Sequence, residues 1–219
     1  MHPEGLTEVQ ERLCIQLYDV GAIKFGKFKL KLHDTHPEAP LSPVYIDLRV
    51  LRRFPETKEV AVDAYQELIT PLKYDLLADI PTAATPLVSS LSDRLKVGMI
   101  TPRTDVKAHG SGAKVDGLLD KDRGKTVVLI DDLVTRADSK LEAAGILTEH
   151  GLRVKDIVVL IDREQGGEKQ LAAKGFKLHS AFTMNKMLEF YVRARKIDQA
   201  TYEDVMSRLK ELNRFLGRS

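Results

Sequence analysis

The chain has one cysteine, Cys14, among 219 residues. A lone thiol excludes an intrachain disulfide framework and suits a reducing compartment. Cys14 lies in an amphipathic run, where a small buried hydrophobe is the expected role rather than a reactive thiol. An excess of one charge is also lacking, because 34 Lys and Arg face 32 Asp and Glu, a formal net charge of +2. That balance gives no basis for a specific nucleic-acid partner, which needs a coherent basic face. The lysines from Lys24 to Lys31 are too local to form one. No apolar run reaches the ~20 residues of a membrane-spanning helix. The opening residues, MHPEGLTEVQE, are too polar for a secretory signal, and no repeat or low-complexity tract is present. The expectation is a soluble cytoplasmic protein with no membrane association, built as one domain or one domain with a small appendage.

What is present is an alternation of strand-like and helix-like segments from about residue 60 to about residue 190. It favours a doubly wound α/β sheet over a barrel, which would need eight such units. The stretch TVVLIDDLVTRADSKLEAAGILTEHG, Thr126 to Gly151, organises the rest. Thr126 to Ile130 is too short for a buried helix and suits a buried parallel strand, with Asp131 and Asp132 at its carboxyl end. A polar turn from Thr135 to Ser139 leads into a helix with Leu141, Ala144 and Leu147 on one face, stopped by Gly151. Strand-end carboxylates can take sugar hydroxyls or a cation, helix-start amides can take phosphate, and Thr135 and Ser139 can add hydroxyl hydrogen bonds.

Elsewhere, Thr7 and Gln10 predict a capping box for a helix carrying Val9, Leu13 and Leu17. From Lys24 to Asp34, Phe28, Leu30 and Leu32 alternate with Lys27, Lys29 and Lys31, which predicts a strand with one charged face. That face is either an exposed sheet margin or a place where a lysine meets a multiply charged anion. His33 and His36 fall in a loop without the companions a metal site needs. SPVYIDLR, Ser42 to Arg49, predicts a second strand that closes a hairpin-like amino-terminal unit. Strand-like LLADI is followed by the tight turn PTAATP, and Ile157 to Ile161 forms another apolar run before Arg163, which is placed to meet an anionic substrate or to pair with Asp162 or Glu164. Residues Thr101 to Gly117 carry three glycines with Arg103, Lys107, His109 and Lys114 and no periodic apolar face. The segment reads as a surface connector or as an active-site lid whose cations meet charge that develops during chemistry.

Taken together, AIKFGKFKLK, SPVYIDLR, DIPTAATPL, PRTDVKAHG, VVLIDDLVTRADS and VLIDREQGG resemble the type I phosphoribosyltransferases, and more narrowly the orotate phosphoribosyltransferases, over nearly the whole chain. The resemblance implies one domain over residues 1–219, a five-stranded parallel core flanked by helices, with residues 1–54 supplying most of a small hood. It implies pyrimidine biosynthesis: magnesium-dependent transfer from phosphoribosyl pyrophosphate to orotate, giving orotidine monophosphate and pyrophosphate, in a homodimer whose lid serves the neighbouring site. Lys31 matches a hood lysine on the pyrophosphate side, and Tyr45 and Ile46 match the pair flanking the orotate ring. Arg103, Lys107 and His109 match lid residues, Asp131 and Asp132 the acids beside the ribose hydroxyls, and Arg163 an arginine at the orotate end. Thr135, Arg136 and Ser139 fall in the 5′-phosphate loop, and no residue is assigned as a metal ligand. The chain departs from the family pattern at Thr104 and Ala108, and TRADS stands where a glycine-rich run is usual. Asp138 there brings negative charge toward a dianion unless it turns outward, with Arg136 as an offset. The alternative reading is therefore a non-catalytic relative that senses a nucleotide or partner through the same cleft.

Overall fold

Val127 to Asp131 are buried one after another, so side chains on both faces of their strand are covered. This accounts for an unbroken apolar run where a half-exposed strand would alternate. In the computed structural model, which describes residues 5–103 and 114–217, that strand is β6 (Thr126–Val134) at the middle of a six-stranded sheet. The sheet belongs to a unit of residues 58–183, and residues 1–57 with 184–219 form a second unit.

In the sheet unit, α2 (Pro55–Ile69, mostly within this unit) precedes β3 (Leu76–Asp79), α3 (Thr85–Leu95) and β4 (Met99–Pro102). After β5 (Val115–Asp116) and β6 come α4 (Asp138–Glu149), β7 (Arg153–Asp162), α5 (Gly167–Ala173) and β8 (Lys177–Thr183). The strand order is β5-β4-β3-β6-β7-β8. All neighbouring pairs are parallel except β4 with β5. The five-stranded parallel core is as expected, while the short antiparallel strand β5 at its edge has no signal in its two residues. Val127, Leu129, Ala143, Ala144, Leu147, Ile157 and Leu171 lie in one buried apolar cluster. Gly151, at φ +82°, ends the α4 connection where the sequence places the stop.

The other unit opens with α1 (Glu8–Asp19), capped reciprocally by Thr7 and Gln10 as the spacing predicts. Cys14 is buried there, and burial pushes its thiol up and away from thiolate chemistry. Strands β1 (Ile23–Phe28) and β2 (Ser42–Ile46) pair antiparallel. The alternation of Leu30 and Leu32 does not continue the strand. Lys31–Asp34 forms a 3-10 turn in which His33 Nδ1 accepts from the Leu30 amide at 2.8 Å, a local bond that competes with strand pairing. Helices α6 (Met184–Arg193) and α7 (Gln199–Phe215) complete this unit. Tyr191 donates to the Cys14 carbonyl at 3.0 Å, and Arg208 donates to the Gly26 carbonyl at 2.7 Å. Among the described residues, no helix is long and apolar enough to cross a membrane.

Candidate active site

From β3 the chain crosses to β4 on one side of the sheet, whereas from β6 it proceeds to β7 and β8 on the other. Strand order therefore reverses between β3 and β6, and the crevice beyond their carboxyl ends is where doubly wound sheets place ligands. Asp79 pairs in register with Ile130, which sets the PTAATP turn after β3 beside the acid pair on β6. Asp79 is fully buried, and its carboxylate accepts from the hydroxyls of Thr85 on α3 and Thr101 on β4, the latter at 2.5 Å. Two hydroxyl donors thus compensate a carboxylate removed from water and tie the turn to the sheet.

Asp131 and Asp132 lie inside β6, which runs four residues past the Ile130 limit expected from the apolar run. Although side chains alternate along a strand, the two carboxyl groups stay close enough to share a hydrogen bond. Asp131 is buried. One of its carboxylate oxygens accepts from the Asp132 amide at 2.8 Å and the other meets Lys140 Nζ at 2.5 Å, while its carbonyl accepts from Tyr65 at 2.8 Å. Asp132 is partly exposed, and one of its oxygens accepts from the Leu133 amide at 2.8 Å. Desolvation, then the charge of Asp131 and a hydrogen bond with it, raise the Asp132 carboxyl to about 7, against the opposing pull of Lys140.

The turn after β6 shows where the side chains of TRADS lie. Ala137 sits at φ −88° and Asp138 is the first residue of α4, so neither position demands glycine. The Asp138 side chain is 72% exposed and pairs with Arg136 Nε at 3.1 Å. It points to solvent. Thr135 is partly exposed, Ser139 and Arg136 are exposed, and Ala137 is buried. The Ala137 amide donates to Gln170 of α5 at 2.9 Å. A Cβ on Gly167 would lie 2.5 Å from Val134 Cγ2 and 3.2 Å from the Thr135 carbonyl, so this glycine allows α5 to abut the turn.

Arg163 follows β7, and its amide donates to the Val134 carbonyl at 3.0 Å. Its side chain is buried, and desolvation lowers its guanidinium to about 10, still cationic at neutral pH. The structure thus brings Asp131, Asp132, Thr135, Arg136, Ser139 and Arg163 to the adjacent carboxyl ends of β6 and β7. Arg103 stands at the neck of the expected lid, its Nε 2.6 Å from Asp116 and its amide donating to the Lys114 carbonyl at 2.8 Å. Lys107 and His109 lie outside the described residues. In the other unit, Tyr45 packs on Phe28 with ring centroids 5.6 Å apart, Ile46 is buried, and Lys31 opens the 3-10 turn.

Sequence reasoning missed Lys140, Gln170, Tyr65 and the Asp79 cluster. For Lys140 a signal existed: it lies four and seven residues before Ala144 and Leu147, on the apolar face of α4, where a lysine needs a buried partner. Gln170 and the partners of Asp79 carry no comparable pattern, because their contacts join distant elements.

No protein-family model matches the chain. Orotate phosphoribosyltransferase of Caenorhabditis elegans is 31% identical to it over 212 residues, covering 95% of this chain and 90% of that protein. Uridine 5'-monophosphate synthase of Bos taurus is 35% identical over 201 residues, or 91% of this chain. Among solved structures, the UMP synthase of Leishmania donovani superposes with a TM-score of 0.80 at 31% identity over 92% of this chain. The chain spans 40% of the bovine protein's length and 42% of the Leishmania chain. The mixed sheet and its flanking helices are the type I phosphoribosyltransferase fold. Because the likeness covers most of both chains in the nematode comparison and holds in backbone path as well as sequence, the chain belongs to the orotate phosphoribosyltransferase family.

Proposed function

We propose that the chain transfers the phosphoribosyl group of phosphoribosyl pyrophosphate to orotate, giving orotidine monophosphate and pyrophosphate. The observation that carries this reading is the crevice at the strand-order reversal. There a partly exposed aspartate, a hydroxyl-bearing turn at a helix start and a buried arginine meet on two neighbouring strand ends, in a chain of this family. In the transfer, the bond from the anomeric carbon to pyrophosphate breaks as positive character develops on the ribose, and the orotate ring nitrogen forms the new bond. Orotate arrives anionic or readily deprotonated, so no serine or cysteine nucleophile is required. The protein's task is to align the reactants and neutralise the leaving group.

Arg103, Lys107 and Lys31 are assigned to the pyrophosphate, with His109 assisting from the lid. The acid pair on β6 positions the ribose, with Asp132 as its partly exposed member. Thr135, Arg136, Ser139 and the first amides of α4 are assigned to the 5′-phosphate, and Arg163, Tyr45 and Ile46 to orotate. Among the described residues, no group of three or more His, Cys, Asp or Glu side chains could hold a metal ion. Magnesium ordinarily binds through substrate phosphates and few protein ligands, so the donor set fits an ion carried in by pyrophosphate, whose charge it would help neutralise. We further propose a cytoplasmic homodimer in which the hood of residues 1–54 and the sheet act as one phosphoribosyltransferase domain.

Direct assay of orotidine monophosphate formation with magnesium tests the reaction. Turnover is expected, and a folded, concentrated protein that yields no magnesium-dependent product overturns the assignment. The non-catalytic reading instead expects ligand binding without product. The outward Asp138 and the ordinary backbone of Ala137 favour turnover, since the unusual side chains leave the helix start open to a phosphate.

A further inference from the structure

Lys140 is a buried lysine that the transfer reaction does not call for. Its Nζ lies 2.5 Å from an Asp131 carboxylate oxygen and 2.7 Å from the Leu133 carbonyl. The residue is 4% exposed and Asp131 is 6% exposed, so both charges have left water and depend on each other. The other Asp131 oxygen is taken by the Asp132 amide. Asp131 therefore has both oxygens engaged within the protein, whereas Asp132 is a partly exposed residue with one oxygen taken by the Leu133 amide. Lys140 also belongs to the first turn of α4, immediately after Ser139, so its two bonds to β6 span the phosphate turn and fix both of its ends.

Resting on the functional reading above, we propose that Lys140 is a positioning residue that divides the acid pair. It retains Asp131 as an internal anchor for the phosphate turn and leaves Asp132 as the carboxylate that meets the ribose hydroxyls. Without Lys140, a buried negative charge would stand uncompensated beside a polyanionic substrate, and the turn would lose its tie to the strand.

The test compares wild type with Lys140→Met, Asp131→Asn and the Asp131→Asn/Lys140→Met double variant, using steady-state kinetics, calorimetry with phosphoribosyl pyrophosphate and thermal melting. Lys140→Met is expected to raise KM for phosphoribosyl pyrophosphate about tenfold while kcat stays within about twofold, a coupling typical of residues in direct contact. The double variant removes both charges together and is expected to lower KM at least about threefold below that of either single variant and to melt above both. If Lys140→Met alone does not fold, the double variant still decides. A double variant that binds no better than Asp131→Asn, or melts below both single variants, overturns the proposal, because Asp131 would then be needed at the ligand itself. Wild type that binds phosphoribosyl pyrophosphate without forming product overturns the functional reading only, and the variants are then compared by dissociation constant. Wild type that binds none of it overturns both.

Discussion

At the scale of single residues, the chemistry of the crevice depends on how two adjacent carboxylates are kept different. Asp131 is neutralised by Lys140 inside the protein, and Asp132 is left with its carboxyl raised to about 7, chiefly by desolvation and by the charge beside it. In the ligand-free folded protein Asp132 keeps its proton up to about that pH, whereas an unfolded aspartate releases it near ~3.9. Between those values the native state binds more protons than the unfolded state, so this group lowers stability as pH rises. Above about pH 7 its contribution becomes constant. The melting temperature of wild type relative to Asp132→Asn should accordingly fall from about pH 4 to about pH 7 and then level off. Parallel melting curves across that range would show that Asp132 titrates normally. If Asp132 meets the ribose hydroxyls as proposed, its ionised form accepts from them more strongly, so affinity for phosphoribosyl pyrophosphate should rise through neutral pH.

At the scale of elements, the turn after β6, proposed to take the 5′-phosphate, is shaped by its neighbours. Gln170 takes the Ala137 amide, Lys140 ties the first turn of α4 to β6, and Gly167 lets α5 approach the Thr135 carbonyl. Gly167→Ala should force α5 away from β6, because Val134 is fully buried and has nowhere to yield. The expected cost is about 1–3 kcal/mol of stability, read by denaturant titration, with a raised KM for phosphoribosyl pyrophosphate. An unchanged denaturation midpoint would mean that the contact relaxes freely. By contrast, the Arg136–Asp138 pair is exposed on both sides, and such pairs contribute about 0–1 kcal/mol. Arg136 can leave Asp138 for a phosphate at little cost.

At the scale of the whole molecule, the proposed homodimer makes a prediction that one chain alone cannot satisfy. If the lid serves the neighbouring site, Lys107→Ala and Asp132→Asn each inactivate the chain through a different half of that shared site. Mixing the two purified variants under conditions of subunit exchange should restore orotidine monophosphate synthesis, because hybrid dimers contain one site with both native residues. A mixture as inactive as its components would place the lid over its own subunit's site. The carboxyl-terminal helices α6 and α7 belong to the same unit as residues 1–57, a grouping that the order of elements along the chain does not reveal.

Much of the fold is legible in the sequence. The apolar runs of β6 and β7, the Thr7–Gln10 cap and the stop at Gly151 follow from local rules, since burial, capping and φ preference act within a few residues. The positions of Asp131, Asp132 and Arg163 near the ends of β6 and β7 are legible for the same reason. The ordered charged strand expected through Lys31 was not realised, because a histidine capped the backbone there instead. Tertiary structure alone decided that strand order reverses between β3 and β6, that Asp138 faces solvent, and that Asp131 and Asp132 have unlike surroundings. Those outcomes depend on side chains from α2, α4 and α5 arriving at one strand end, and the free energy of such contacts exists only once the chain has brought them together.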